Sequence, residues 1–188
     1  MIDTADRLAL YQPPRRPADR LNVSAANSLF FSEWYDWLQK RIPKRYGGDQ
    51  DRLLQDWVET IQAKGGSKPL FDLGTGTALL STARSWLKFL EDESQPETEE
   101  IRQFHTACLP ACGRRFGITR RGYLCLLPRN ANPGDPIFIP QGSKVPFVFR
   151  EVKEGSEYSN VGECYVHGAM HGDALSWDGV DVMEITVR

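Results

Sequence analysis

No uncharged apolar stretch in this sequence approaches the roughly 20 residues that span a bilayer, so a transmembrane helix is excluded. Surplus charge of either sign is missing as well. Twenty-three Lys and Arg stand against 25 Asp and Glu, a net charge of −2 in 188 residues, which leaves no overall cationic field to collect nucleic acid or anionic lipid. Cysteine is sparse: Cys108, Cys112, Cys125 and Cys164 are too few to staple a chain of this size, and free thiols are expected. Repeats and low-complexity tracts are absent. The opening MIDTADRLALYQPPRRPADR contains neither an apolar signal core nor a small-residue cleavage site, so an intracellular, cytoplasmic protein is expected. What is present is a globular composition, 40% hydrophobic and 26% charged, sufficient for one ordinary core or two small ones.

Pro13, Pro14 and Pro17 forbid helix around them and remove backbone donors, so residues 1–25 read as an extended leader lying over the surface. Apolar periodicity then takes over. Phe30, Trp34, Trp37 and Leu38 recur at three and four and predict a helix from Ser28 to Arg41, stopped by Pro43. Asp49 is placed to cap a second helix carrying Leu53, Leu54, Trp57, Val58 and Ile61, with Gly65-Gly66 as its end. A third helix is predicted from Thr77 to about Glu91 on the stripe Leu79, Leu80, Ala83, Trp86, Leu87, Leu90. Ile101, Phe104 and Cys108 mark a fourth, closed by Pro110 and Gly113, with Glu97, Glu99 and Glu100 complementing the dipole at its start.

After Gly113 the texture changes. RRFGIT, YLCLLP, PIFIP, VPFVFREV, NVGECYVHG and VMEITV are short β-branched and aromatic runs separated by Gly, Pro, Asn and Asp. Short strands in this number favour a small closed or nearly closed barrel, since a flat sheet would leave two open edges. The fold class expected is α+β: a leader at 1–25, a helical region of about four helices at 26–113, and, packed against it, a small antiparallel β-barrel at 114–188.

Several constellations invite a chemical reading. Asp72-Leu73-Gly74-Thr75-Gly76 is shaped like a cofactor-binding glycine loop, but Ala78 takes the third glycine position and no βαβ frame surrounds it, so a turn and helix cap is expected and no cofactor is implied. Cys108 and Cys112 with His105 offer half of a metal site; Pro110 interrupts the helix between the sulfurs and no second ligand pair has the spacing, so packing is expected and no metal. Arg114, Arg115, Arg120 and Arg121 form a basic cluster read as a solvated hairpin face, and Asp135 after Pro133-Gly134 as a loop-ending carboxylate bonded to nearby amides. The densest chemistry lies in Gly162–Asp173. Strand alternation puts Glu163, Tyr165 and His167 on one face, where an acid and an imidazole serve either general acid–base catalysis or a structural hydrogen bond. The structural role is expected, with these three as the candidate site residues; His171 is expected to face solvent.

In order along residues 112–175 stand Cys112-Gly113-Arg114-Arg115-Phe116, Thr119-x-x-Gly122-Tyr123, Leu127-Pro128, Pro133-Gly134-Asp135, Val145-Pro146-Phe147-Val148-x-Arg150 and Val161-Gly162-Glu163-Cys164-Tyr165-Val166-His167-Gly168-x-Met170-x-Gly172. This series resembles the C-terminal region of fungal heterokaryon-incompatibility (HET) proteins. Trp57 to Lys64 is similar, more weakly, to the helical segment that precedes that region. The resemblance implies a fungal, intracellular protein, and it covers an accessory region: the α/β HET domain has no counterpart in these residues, and no catalytic role comes with the motifs. Two functions are compatible with this. One is a HET-related accessory or regulatory module that recognises a protein partner. The other is a stand-alone isomerase or cyclase of fungal secondary metabolism, holding a small-molecule ligand and using acid–base residues on the same scaffold.

Overall fold

The computed structural model describes residues 1–9, 23–64, 75–92, 94–153 and 157–188, with backbone alone for residues 23–29 and His171. The expected exposure of His171, the helix-ending Gly65-Gly66 and the Asp72-to-Gly74 part of the glycine loop lie outside the described residues. The chain forms two compact units, one of residues Gln12–Gly113 and one of Met1–Tyr11 together with Arg114–Arg188.

The first unit is helical: α1 Val23–Gln39, α2 Gln50–Ile61, α3 Thr77–Glu91 and α4 Glu99–Ala107. Local chemistry sets the ends. The Asp49 carboxylate accepts from the Arg52 amide at the start of α2, and the Thr98 hydroxyl does the same for Ile101 at the start of α4. Gly76, with φ +58°, stands at the head of α3 as a turn residue. Apolar spacing sets the inner faces, burying Leu53, Leu54, Trp57, Val58 and Ile61 of α2 and Leu79, Leu80, Ala83, Trp86 and Leu90 of α3. Trp86 is the hub. Its ring centroid lies 5.2 Å from Phe31 of α1, 6.1 Å from Trp57 of α2 and 4.8 Å from Phe104 of α4, in tilted contacts that add about 0.5–1.5 kcal/mol each beyond area burial.

The second unit is one curled sheet of β1 Asp3–Leu8, β2 Arg114–Thr119, β3 Leu124–Pro128, β4 Pro136–Phe138, β5 Phe147–Lys153, β6 Glu157–Glu163, β7 Tyr165–Val166 and β8 Thr186–Val187. Their order is β7-β3-β2-β1-β4-β5-β6-β8, antiparallel except for the parallel β6–β8 pair. Five of the six expected runs begin or contain strands as read. NVGECYVHG differs: it is broken at Cys164 into β6 and β7.

The larger difference is β1. The first residues of the presumed surface leader are extended, and they form a strand in the middle of the sheet, paired with β2 on one side and β4 on the other. Gly117 makes that close approach possible, because a Cβ there would come within 2.7 Å of the Leu8 side chain and 2.9 Å of the Arg7 carbonyl. The sheet's concave core contains Ile2, Ala5, Cys125, Leu127, Ile137, Val148, Cys164 and Val166. On the opposite face Phe138, Phe149 and Tyr158 pack together, with Phe147 and Ile185 against them.

Candidate functional site

A single residue, Cys164, separates β6 from β7, so one continuous segment pairs with β5 near one end of the strand order and with β3 at the other. The sheet therefore curls back on itself, and the motif strand is its seam. Gly162 has φ +145° and an added Cβ would meet the Pro128 ring at 3.0 Å, so β6 passes against the end of β3 where only glycine fits without adjustment. Across this seam the Arg114 guanidinium donates to the Glu163 carboxylate at 2.8 Å and to the Glu163 backbone carbonyl at 3.1 Å. The Cys164 amide donates to the Pro146 carbonyl and the His167 amide to the Leu124 carbonyl, both at 2.9 Å. Four residues of the sequence motif, Arg114, Pro128, Gly162 and Glu163, thus meet although up to 49 positions separate them.

Alternation carries through the break at Cys164: Cys164 and Val166 both join the inner core, while Glu163 is exposed, Tyr165 buried and His167 half-buried. Glu163 turns to Arg114; the Tyr165 phenol meets Nδ1 of His167 at 3.3 Å. The acid and the imidazole are each bonded to another residue, since strand spacing sets the face a side chain takes and not its partner.

Buried polar groups gather on the inner side of the same unit. Burial raises the Cys164 and Cys125 thiols well above their ordinary range, which keeps both protonated and poorly nucleophilic. Asp3 is buried too. Desolvation raises its carboxyl above 3.8, against the lowering effect of hydrogen bonds from the Thr119 side chain and the Thr4 and Arg121 amides. Asp3 was missed as a site residue, hidden in a charged DTADR stretch that reads as solvated.

Asp135 accepts from the Asn132 amide at 2.7 Å, as its loop-ending role requires. It also takes a fork from Arg150: Nε to Oδ1 at 3.1 Å and Nη2 to Oδ2 at 2.7 Å, while the same Nη2 reaches the Asn130 carbonyl. The basic cluster is not a uniformly solvated hairpin face. Besides Arg114, Arg115 donates to the Ala131 carbonyl, and Arg121 to the carbonyls of Asp178 and Gly179, both at 2.7 Å. Arg120 is exposed. A guanidinium is suited to this use because its several donors reach backbone carbonyls in different loops at once.

In the helical unit His105 is buried against Phe31 and Trp86, and neither ring nitrogen has a hydrogen-bond partner. Burial holds its imidazole below the ordinary 6.5, outweighing the upward pull of Glu97. Cys108 is fully buried at the end of α4. Among the described residues no three His, Cys, Asp or Glu side chains are grouped as a metal would need. A cleft of about 530 Å³ at the end of α3 and the start of α4 is lined by Lys88, Phe89, Asp92, Gln95, Pro96 and Ile101. None of the three candidate residues lines it.

A four-helix unit and a curled sheet, in which arginines bridge distant segments, define an α+β protein. Residues 49–178 match the Het-6 beta-barrel domain family, and the chain belongs to it. It is also similar to heterokaryon incompatibility protein 6, OR allele, of Neurospora crassa, with 36% identity over 63 residues, covering 32% of this chain and 9% of that protein. The chain thus spans less than a tenth of the curated relative it matches. No solved structure matches it.

Proposed function

We propose that this chain serves as an accessory or regulatory module of a HET-related fungal protein, acting in the cytoplasm by recognising a protein partner. The observation that supports this is how the motif's polar groups are used. Arg114 and Glu163 close the seam, and Asp135 and Arg150 fix the loop before β4. A family pattern made of such residues specifies a rigid scaffold, and rigid scaffolds suit recognition by their surfaces. Cross-linking mass spectrometry on the chain expressed in a fungal host tests the reading. The expected result is one reproducible protein partner whose binding is reproduced by calorimetry with both components purified; a purified chain that instead retains a small molecule in native mass spectrometry contradicts it.

One contact favours the enzymatic alternative, an isomerase or cyclase of fungal secondary metabolism. The Tyr165 phenol and His167 imidazole, 3.3 Å apart and part-buried, form a pair through which a proton can pass. On this reading His167→Asn abolishes turnover of the retained small molecule with little change in melting temperature. On the recognition reading the same substitution lowers stability, because it alters the partner of a buried phenol.

A further inference from the structure

The aromatic row opposite the barrel core is covered by the chain's own C-terminal segment, and the manner of covering indicates what else fits there. Phe138 of β4, Phe149 of β5 and Tyr158 of β6 lie with ring centroids 5.4–5.5 Å apart in edge contacts, flanked by Phe147. Val180 packs on the barrel core, and the chain beyond it lacks regular structure until the two residues of β8 pair in parallel with Glu157 and Tyr158, with Ile185 against the aromatic row. Alternation along that strand divides its side chains. Ile185 and Val187 stand on the Tyr158 side, where Ile185 packs against the aromatic row; Arg188 stands on the Glu157 side, with its guanidinium 3.0 Å from that carboxylate.

This strap is lightly held. Its ladder is two residues long, Arg188 adds one amide bond to the Tyr158 carbonyl, and its ion pair leaves Arg188 largely in solvent, where such pairs contribute little. Val182 is fully exposed, and Met183 and Val187 are also exposed. Its base is better fixed, by Arg121 on the carbonyls of Asp178 and Gly179, by Val180 on the barrel core and by the Met1 ammonium donating to the Asp181 carbonyl at 2.8 Å. A segment anchored at its base, loose along its length and seated on large aromatics can be exchanged for another strand of the same pattern at small cost.

We propose that the β6 edge and the row Phe138, Phe147, Phe149 and Tyr158 form a docking surface for an extended segment of a partner protein, and that residues 182–188 occupy it as a displaceable mimic. The partner segment is defined by what the strap shows: two β-branched apolar residues separated by one position, the second followed directly by a cation that meets Glu157. It adds as a parallel strand to β6. The surface rests on the partner-recognition reading and locates it.

The test uses the full chain and a labelled peptide of residues 182–188. Ile185→Asp with Arg188→Glu releases the strap in the chain without touching the aromatic row. Fluorescence anisotropy should show the peptide binding the released chain at least tenfold more tightly than the parent, with Phe147→Ala added to the released chain, or Ile185→Asp in the peptide, abolishing the gain. Circular dichroism of each variant establishes that the sheet is intact, and Glu157→Arg added to the released chain, which removes the carboxylate that the peptide's Arg188 meets, should reduce the gain. Equal binding by parent and released chain overturns the proposal, as does hydrogen exchange in the parent showing the Arg188 amide as protected as the centre of the sheet. A released chain that becomes a dimer by exchanging straps, with no peptide bound, assigns the surface to a second copy and also overturns it. Peptide binding without any cellular partner contradicts the recognition reading alone; a cellular partner that binds Phe147→Ala and parent equally contradicts this surface alone.

Discussion

The two units of this protein are stabilised in opposite ways. In the helical unit, neighbours in sequence make the elements and large aromatic side chains make the core, with Trp86 touching rings from α1, α2 and α4. Unpartnered buried polar atoms occur in both units: the indole nitrogens of Trp57 and Trp86 and both nitrogens of His105 in the helical one, Oδ2 of Asp3 and Nε of Arg115 in the sheet. In the sheet unit, elements come from residues more than 100 positions apart, as in Ala5 with Thr119, and polar side chains set the geometry. Its core is made of smaller groups, Ala5, Cys125, Val148, Cys164 and Val166 among them. A curled sheet with short strands uses directed bonds to fix its loops, where the helical unit relies on ring contacts.

The largest effect should come from the helical hub. Trp86→Ala removes a fully buried indole contacted by rings from the other three helices, and about 3–5 kcal/mol of stability should be lost. Far-ultraviolet circular dichroism during denaturant unfolding measures it; a loss below about 1 kcal/mol would mean that Trp86 is not the hub.

Next is the fork in the sheet unit. Arg150→Ala leaves the buried Asp135 carboxylate with only its bond from the Asn132 amide, and about 2 kcal/mol should be lost, discounted because the Arg150 side chain is itself 39% exposed. A double-mutant cycle with Asp135→Asn should recover a coupling of the same sign. Additive effects would show the fork to be a bystander.

Legibility followed the same division. The start of α2 and both ends of α3 were readable almost to the residue, because a cap at Asp49 and a three-four stripe are local signals. Most strands of the second unit were readable from β-branched runs between turn residues, and the barrel character from their number. What was hidden depends on distant pairing. DTADRL carries three charges and precedes a proline-rich stretch, so nothing local marks it as a central strand; its place follows from partners in residues 114–138. Alternation holds through Cys164, since Cys164 and Val166 both face the inner core, but the partners of Glu163 and His167, Arg114 and Tyr165, are not legible from spacing alone.

Acid–base titration sharpens the contrast, since the two units carry buried groups with opposite pH slopes. His105 is held neutral by burial, so below its ordinary 6.5 the unfolded chain takes up a proton that the folded chain resists, and helical stability falls as pH falls. Burial favours the neutral form of Asp3, so above its ordinary 3.8 the unfolded chain releases a proton first, and sheet stability falls as pH rises until the raised folded value is passed. His105→Phe should flatten the first slope and Asp3→Asn the second, read by unit-specific amide signals in NMR across pH 3–8, a window set roughly by these ordinary values. Identical slopes in parent and variants would break the contrast.

The smallest energetic effect falls on the seam and tests the central claim most directly. Arg114 and Glu163 are part of the motif, yet Glu163 is 63% exposed, so Arg114→Ala should cost only about 0.5–1 kcal/mol in global stability. Its local effect should be large. In hydrogen-exchange mass spectrometry of the Arg114→Ala chain, the amides of Cys164 and His167, bonded to the Pro146 and Leu124 carbonyls, should exchange at least tenfold faster while those of α2 and α3 do not change. Unchanged exchange at Cys164 and His167 would contradict the account, because the motif would then not be what holds the sheet closed.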